Sequence, residues 1–213
     1  LMSQAGMRGG DAVVKVLNGE VTPSGKLTDT WAVNYEDYSS SEGFGANDEN
    51  VTQEDYTDDI YVGYRYFDTF NVTPAYEFGY GLSYTDFNID VKDVTVDEEN
   101  VTVDVRVTNV GEKYAGKEVV EVYFSAPDGA LEKPYQELAT YGKTDTLAPG
   151  ESQELTLSYA TTEMSSYSED LAAYVMENGD YVVRVGNSSR NTSVEAVINL
   201  DSNKVTEQLS NQM

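Results

Sequence analysis

Hydrophobic positions along this chain follow two periods, and the change from one to the other falls near Tyr84. In GGDAVVKVL, Gly9 to Leu17, the residues Ala12, Val13, Val16 and Leu17 recur at i, i+1, i+4, i+5, which predicts a short amphipathic helix. Asn18-Gly19 follows, supplying a residue that tolerates positive φ where such a helix must stop. Val21-Thr22-Pro23-Ser24-Gly25-Lys26-Leu27 then reads as a turn built on Pro and Gly. From Thr28 to Asp58 aliphatic residues thin out. Ser39-Ser40-Ser41-Glu42-Gly43 and Asn47-Asp48-Glu49-Asn50 predict a long loop there, a feature that inside compact domains is often functional.

Beyond Tyr84 the period becomes two. Val101, Val103, Val105 and Val107 alternate with Thr102, Asp104, Arg106 and Thr108, the pattern of a strand with one buried face. EVVEVYFS from Glu118 to Ser125, ELTLSY from Glu154 to Tyr159, DYVVRV from Asp180 to Val185 and SVEAVINL from Ser193 to Leu200 read as further strands. Between them stand turn signals: Asn109-Val110-Gly111, Pro127-Asp128-Gly129, Ala148-Pro149-Gly150 and Asn178-Gly179. Strands so punctuated, with no helical pattern among them, predict an antiparallel β-sandwich over residues 84–200. Without a Cys pair it is not of the antibody type, and a fibronectin type III-like sandwich is the closer description.

The junction is aromatic. DIYVGYRYFDTFNVTPAYEFGYGLSYTDF, Asp59 to Phe87, carries ten Tyr and Phe residues. They could form a platform on which sugars or bases stack, or glue between two packed domains. Tyr61-Val62-Gly63-Tyr64-Arg65-Tyr66-Phe67 reads as a strand with aromatics on both faces, so a good share must be buried, each Tyr hydroxyl finding a partner. Phe78-Gly79-Tyr80-Gly81-Leu82-Ser83-Tyr84 leads directly into the sandwich, where a seam needs apolar surface and close backbone approach at Gly. Packing is therefore favoured over substrate contact, and no substrate-binding residue is singled out. Trp31, the sole Trp, is read as a core anchor ahead of a lip for a sugar site.

Charge and composition narrow the chemistry. Thirteen Lys and Arg stand against 38 Asp and Glu, a net charge of −25, which repels a phosphate backbone and argues against nucleic acid. The chain has no Cys and no His, which removes disulfides, Ser-His-Asp and Cys-His catalysis, and zinc sites with nitrogen or sulfur ligands. No apolar run approaches the roughly 18 residues of a membrane span, so the chain reads as soluble, with no membrane partner. Acidic neighbours such as Glu36-Asp37, Asp48-Glu49, Asp58-Asp59 and Glu98-Glu99 are read as solvated surface, because no stretch has the ligand spacing of a calcium loop. Gly79-Tyr80-Gly81 lacks the Lys and the helix of a phosphate loop. Sequons at Asn50, Asn71, Asn100, Asn187 and Asn191 matter only in a eukaryotic secretory pathway, which nothing in the sequence establishes.

Taken in order, GGDAVVKVLNGEVTPSGKL, YVGYRYFDT and YEFGYGLSYTDF, followed by a β-sandwich, resemble the C-terminal part of glycoside hydrolase family 3, most like its β-glucosidases. VTNVGEKYAGKEVVEVYFSAP, KPYQELATYGKTDTLAPGES and ENGDYVVRVGNSSRN are similar to that family's fibronectin type III-like domain. The resemblance implies a mainly β chain in which residues 1–83 are the C-terminal remnant of an α/β sandwich domain, residues 84–200 the fibronectin type III-like sandwich, and 201–213 a linker or the start of a following domain. It departs from the family at Asp58-Asp59, where a Glu-Gly pair is common, and at Tyr141-Gly142, where Gly-Phe is common.

In that family a (β/α)8 barrel provides an aspartate nucleophile and the α/β sandwich domain an acid/base carboxylate. Retaining glycosidases need the two carboxyl groups about 5 Å apart. Neither motif is matched, so no catalytic residue, no metal and no cofactor is assigned. The resemblance implies a non-catalytic segment of a β-glucosidase, inactive alone, whose partners are the barrel and the rest of the α/β domain. KVTEQLSNQM, Lys204 to Met213, reads as helix-forming linker residues of a member whose domain order is inverted. The compartment stays open, with charge and the lack of Cys leaning to a bacterial cytoplasm. A reading from another class is a free-standing carbohydrate-binding or adhesion module using the Tyr-rich loops.

Overall fold

The computed structural model describes residues 5–46, 49, 51–53 and 55–210. Helix α1 spans Gly9–Leu17, as the apolar spacing predicts, with Asp11 in its first turn and Lys15 in its last, each matched to the helix dipole. The chain leaves it through Gly19 at φ +76°, and the Glu20 amide donates back to Lys15 O at 2.9 Å. Among the described residues, the long acidic loop holds one two-residue strand, β1 (Trp31–Ala32), and 3-10 turns at Tyr35–Asp37 and Phe44–Ala46. Asn47, Asp48 and Asn50 lie outside the described residues.

The aromatic junction departs from its predicted form. Tyr61 to Phe67 is not a strand; helix α2, Tyr64–Thr69, begins behind Gly63, whose φ of +59° turns the chain into it. A helical period serves these side chains better than alternation, because Tyr64, Phe67 and Asp68 then share one face. Phe67 is 1% exposed and packs edge-on against Tyr38, ring centroids 5.9 Å apart. Strand β2 (Pro74–Tyr76) pairs with β1, placing Tyr76 opposite Trp31. Trp31 is therefore no core anchor: it is 39% exposed on a two-stranded ribbon.

Two antiparallel sheets make the sandwich. One is formed by β3 (Phe87–Val96), β4 (Asn100–Asn109) and β7 (Ser152–Ala160), in the order β3-β4-β7. The other contains β5 (Val119–Ser125), β6 (Glu137–Lys143), β10 (Gly179–Ser188) and β11 (Asn191–Leu200), in the order β11-β10-β5-β6. The five strands expected from period two correspond to β4, β5, β7, β10 and β11, with β5 starting at Val119, one residue later than expected. Strands β3 and β6 escape the pattern: β3 carries a bulge between Val91 and Asp93 that breaks its alternation, and in β6 ELATYGK mixes small and polar residues. Val101, Val103, Val105 and Val107 of β4 pack with Val120, Val122 and Phe124 of β5 and Val183 and Val185 of β10 in one cluster. Full burial of such a side chain contributes roughly 1.5–3 kcal/mol.

A third small sheet closes one side, in the order β12-β9-β8, from β8 (Ser166–Ser168), β9 (Ala173–Met176) and β12 (Lys204–Gln208). Lys204–Gln208 is thus extended and not helical. It pairs Lys204 with Met176 and Gln208 with Ala173, satisfying backbone groups that a free helix of that length would leave open to water.

At the end of β4, Asn109 is fully buried and uses every hydrogen-bonding site of its side chain. Its Nδ2 donates to Tyr114 O and Leu147 O, both at 2.9 Å, while its Oδ1 accepts from Thr85 Oγ1 at 2.6 Å and from the Gly111 amide at 3.0 Å. One side chain thereby ties the sandwich entry at Thr85 to two loops. Replacing it by Ala strands two carbonyls, a hydroxyl and the Gly111 amide, so Asn109→Ala is expected to cost about 3 kcal/mol. Asn109→Asp keeps the acceptors and is expected to cost at least as much, because both carbonyls would then face a carboxylate. Urea unfolding monitored by Trp31 fluorescence checks both; a loss under about 1 kcal/mol for Asn109→Ala would show that water replaces the amide.

Candidate functional site

Strand β5 turns Val120, Val122 and Phe124 into the sandwich core, so alternation sends Glu121 and Tyr123 to the other face. That face should meet water, yet Glu121 is 4% and Tyr123 0% exposed. The cover is the aromatic junction. Tyr64 of α2 stands edge-on to Tyr123 with ring centroids 5.8 Å apart and leans on Phe78 at 5.1 Å. Residues 77–81 then run across β5 as a strap. Gly79, at φ +82°, comes so close that a Cβ there would lie 2.6 Å from Glu121 Oε2 and 2.7 Å from the Ser188 backbone. At Gly81 a Cβ would lie 2.4 Å from Gly25 O. These two glycines are therefore demanded by contact, and no side chain fits at either.

Backbone bonds stitch the strap on both sides. The Gly79 amide donates to Leu27 O and the Leu27 amide to Tyr80 O, both at 2.8 Å, while the Ser189 amide donates to Phe78 O at 2.9 Å. Ser188 Oγ donates to Glu77 Oε1 at 3.1 Å. Farther along, the β6 edge receives α2: the Leu138 amide donates to Tyr64 Oη and the Tyr135 amide to Thr69 Oγ1, both at 2.8 Å, and Arg65 faces Glu137 at 3.6 Å. Tyr84 Oη reaches back to Val16 O at the end of α1, at 2.8 Å. Lys117 and Lys143 both reach Ser24 in the Pro-Ser-Gly turn, the first through its amide to Oγ at 3.2 Å and the second through its ammonium to the carbonyl.

A cluster of charged and polar groups holds the centre. Arg190 pairs with Asp68 at 2.8 Å and donates to Phe67 O at 2.9 Å and Val72 O at 2.7 Å, so one guanidinium neutralises an acid and binds carbonyls in the last turn of α2 and just beyond it. Gln136, 1% exposed, donates from the same Nε2 to Asp68 Oδ2 at 3.0 Å and Ser189 O at 2.6 Å. Lys26 pairs with Glu118 at 2.9 Å, and Glu118 also accepts from the Val119 amide at 2.8 Å and Asn187 Nδ2 at 3.1 Å. Glu121 accepts from Tyr123 Oη at 2.6 Å. Burial pushes the Asp68 carboxyl up despite the hydrogen bonds from Gln136 and Arg190 that pull it down. Burial likewise raises Glu121 and Glu137, and drives the Tyr123 phenol far above its ordinary range. Asp68, Glu118 and Glu121 are thus each engaged by hydrogen-bond donors from within the chain.

The acidic neighbours singled out in the sequence lie elsewhere. Asp37 accepts from the Asn34 amide at 2.9 Å and closes a turn beside exposed Glu36. Asp58 accepts from Ser39 Oγ, and its carbonyl accepts the Tyr61 amide at 2.8 Å, leading through Asp59 at φ +49° toward α2. Glu98 and Glu99 sit at the β3–β4 hairpin, where their carbonyls accept from Thr161 Oγ1. Glu49 takes φ +68°, and its neighbour Asp48 lies outside the described residues. Gly142, one of the two departures from the family pattern, packs against Leu157 in the sandwich, where a Cβ would meet Cδ2 at 2.6 Å.

Sequence reasoning passed over Glu121, Asp68, Gln136 and Arg190. For Glu121 a signal existed: Val119 and Tyr123 share its face, which is too apolar for a solvated surface. For Asp68 and Arg190, 122 positions apart, none did.

Comparison with known proteins agrees with this construction. Residues 1–84 match the glycosyl hydrolase family 3 C-terminal domain, and residues 118–189 match the fibronectin type III-like domain. Over 99% of its length the chain is 43% identical to β-glucosidase A of Butyrivibrio fibrisolvens, and over 97% it is 41% identical to a β-glucosidase of Ruminococcus albus. Among solved structures, β-glucosidase 3B of Thermotoga neapolitana in complex with glucose superposes with a TM-score of 0.90 at 43% identity, over 97% of this chain and 28% of that one. A Paenibacillus barengoltzii β-glucosidase superposes with a TM-score of 0.90 over 95% of this chain and 23% of that one. The chain spans 28% of the Butyrivibrio enzyme and 22% of the Ruminococcus enzyme. It belongs to glycosyl hydrolase family 3, of which it carries C-terminal domain sequence running into a fibronectin type III-like domain.

Proposed function

We propose that this chain is a non-catalytic segment of a retaining β-glucosidase, one that hydrolyses terminal β-D-glucosyl residues, and that its task is to brace the interface between catalytic domains. The observation that carries this reading is the strap across β5: residues 64–81 are bound to the sandwich by aromatic contacts, backbone bonds from both sides and the Asp68–Arg190 pair. A surface assembled to grip a substrate would leave most donors and acceptors unspent; here most are spent on the chain itself, with Gln136 Oε1 and Ser189 Oγ left unpartnered. The bracing runs on into α1, whose last turn is tied to the sandwich entry by Tyr84 while Val14 and Leu17 are 58% and 76% exposed. That apolar side is the surface an adjoining part of the α/β domain would cover. The partners are accordingly the barrel and the remainder of that domain, which supply the nucleophile and the acid/base for the two-step displacement.

The test is turnover of p-nitrophenyl β-glucoside by the purified chain, alone and then mixed with a complementary polypeptide carrying the barrel. The expected outcome is silence alone and activity on mixing. Turnover by the chain alone would place two catalytic carboxyls within it and end the proposal. Binding of glycans by the chain alone, without restored activity on mixing, would favour a carbohydrate-binding module.

The brace itself is probed at Gly79. Gly79→Ala forces a methyl group against Glu121 and Ser188 at positive φ and is expected to cost about 3 kcal/mol, with a matching loss of restored activity at fixed temperature. Gly150→Ala is the control, since Gly150 has a similar φ of +80° but open space around it, and should cost about 1 kcal/mol. Equal losses in urea unfolding for the two variants would show that the close approach of the strap contributes nothing.

A further inference from the structure

The strap crosses a crowded set of acids. Around Glu121 stand Tyr123 of its own strand, Glu118 just before that strand, Glu77 from the strap and Lys26 from the Pro-Ser-Gly turn, while Ser188 and Asn187 of β10 donate to Glu77 and Glu118. Tyr64 and Asp68 of α2 approach from behind Tyr123, and Asp68 has its own counterion in Arg190. Three carboxyl groups, Glu77, Glu118 and Glu121, thus share one ammonium, and Lys26 is bound at 2.9 Å to Glu118. Among the described residues Glu121 has no cation in contact and one hydrogen-bond donor, the Tyr123 hydroxyl, while both its oxygens press on Gly79. A buried carboxylate in that position would be uncompensated.

We propose that the seam is a proton-dependent clasp, in which Glu121 holds the strap against β5 while neutral and loosens it when ionised. Gly79 can lie on an uncharged carboxyl, whereas an ionised one draws water toward itself and repels Glu77, which rides on the same strap. The direction of the effect follows from linkage. Burial raises the proton affinity of Glu121 in the folded state above that of the open one. The stability it contributes is complete below the ordinary glutamate pKa and is lost as the pH climbs through the raised value. The parent enzyme would therefore have its domain interface tightest in mildly acidic surroundings.

This inference rests on reading the seam as a brace, but its test uses the 213-residue chain without substrate, so it and the complementation experiment fail separately. Carbon-13 titration of the Glu121 side-chain carboxyl is expected to give a midpoint above the ordinary glutamate value; a midpoint at or below it overturns the proposal without any variant. Hydrogen exchange of the Gly79, Leu27 and Ser189 amides, corrected for intrinsic rate, reads the strap. Between the ordinary and the raised midpoints, protection should fall, Glu121 contributing up to about tenfold per pH unit, and Glu121→Gln should remove that contribution. Identical slopes in the two proteins, or protection that rises with pH in the wild type, would overturn the clasp.

Discussion

The burial of β5 on both faces is the constraint from which the rest of this structure follows. One face belongs to the valine core of the sandwich, and the other, carrying Glu121 and Tyr123, is closed by a segment more than 40 positions earlier in the chain. A carboxyl and a phenol cannot be covered by hydrophobic bulk alone, so the cover must bring polar partners and approach closely. Each peculiarity of the junction answers that demand. Gly79 and Gly81 remove side chains where the strap touches, the tyrosines bury rings while placing their hydroxyls, and Arg190 gathers the end of α2 onto the β10–β11 turn.

The same constraint explains why the first 85 residues stay attached to the sandwich despite holding little regular structure of their own. Their described order comes from long-range ties: α1 to Tyr84, the Pro-Ser-Gly turn to Lys117 and Lys143, α2 to the start of β6. A segment so held transmits position. In our reading of the chain as a brace, the sandwich acts as the anvil against which the α/β domain of a family 3 β-glucosidase is seated, and the protonation of one buried glutamate sets how firmly.

Much of this architecture was legible from side-chain period. Helix α1 emerged from the spacing of Val13, Val16 and Leu17, and β4 from four alternating valines, because in each case the apolar positions recur on one side of the element and the local pattern records it. The junction misled for the same reason. Tyr61 to Phe67 is aromatic at almost every position, so alternation and helical period fit equally, and the choice fell to Gly63, where a positive φ redirects the chain into α2. Trp31 was expected inside and sits on a ribbon, since a single bulky residue in a polar loop has no period to place it. Lys204–Gln208 carries residues that tolerate a helix, and the open edge of β9 made it a strand.

What the sequence determined by itself was the set of faces: which residues alternate, where turns of Gly, Pro and Asn must interrupt, and, through its motifs, which family those faces belong to. What only the tertiary structure decided was which face meets which. The Asp68–Arg190 pair, the Gln136 bridge and the closure of Gly79 on Glu121 join positions from 42 to 122 residues apart. No local energy distinguishes such partners from other acids, amides and glycines. They are selected when β5 must be covered and one segment alone offers the shape and the donors to do it.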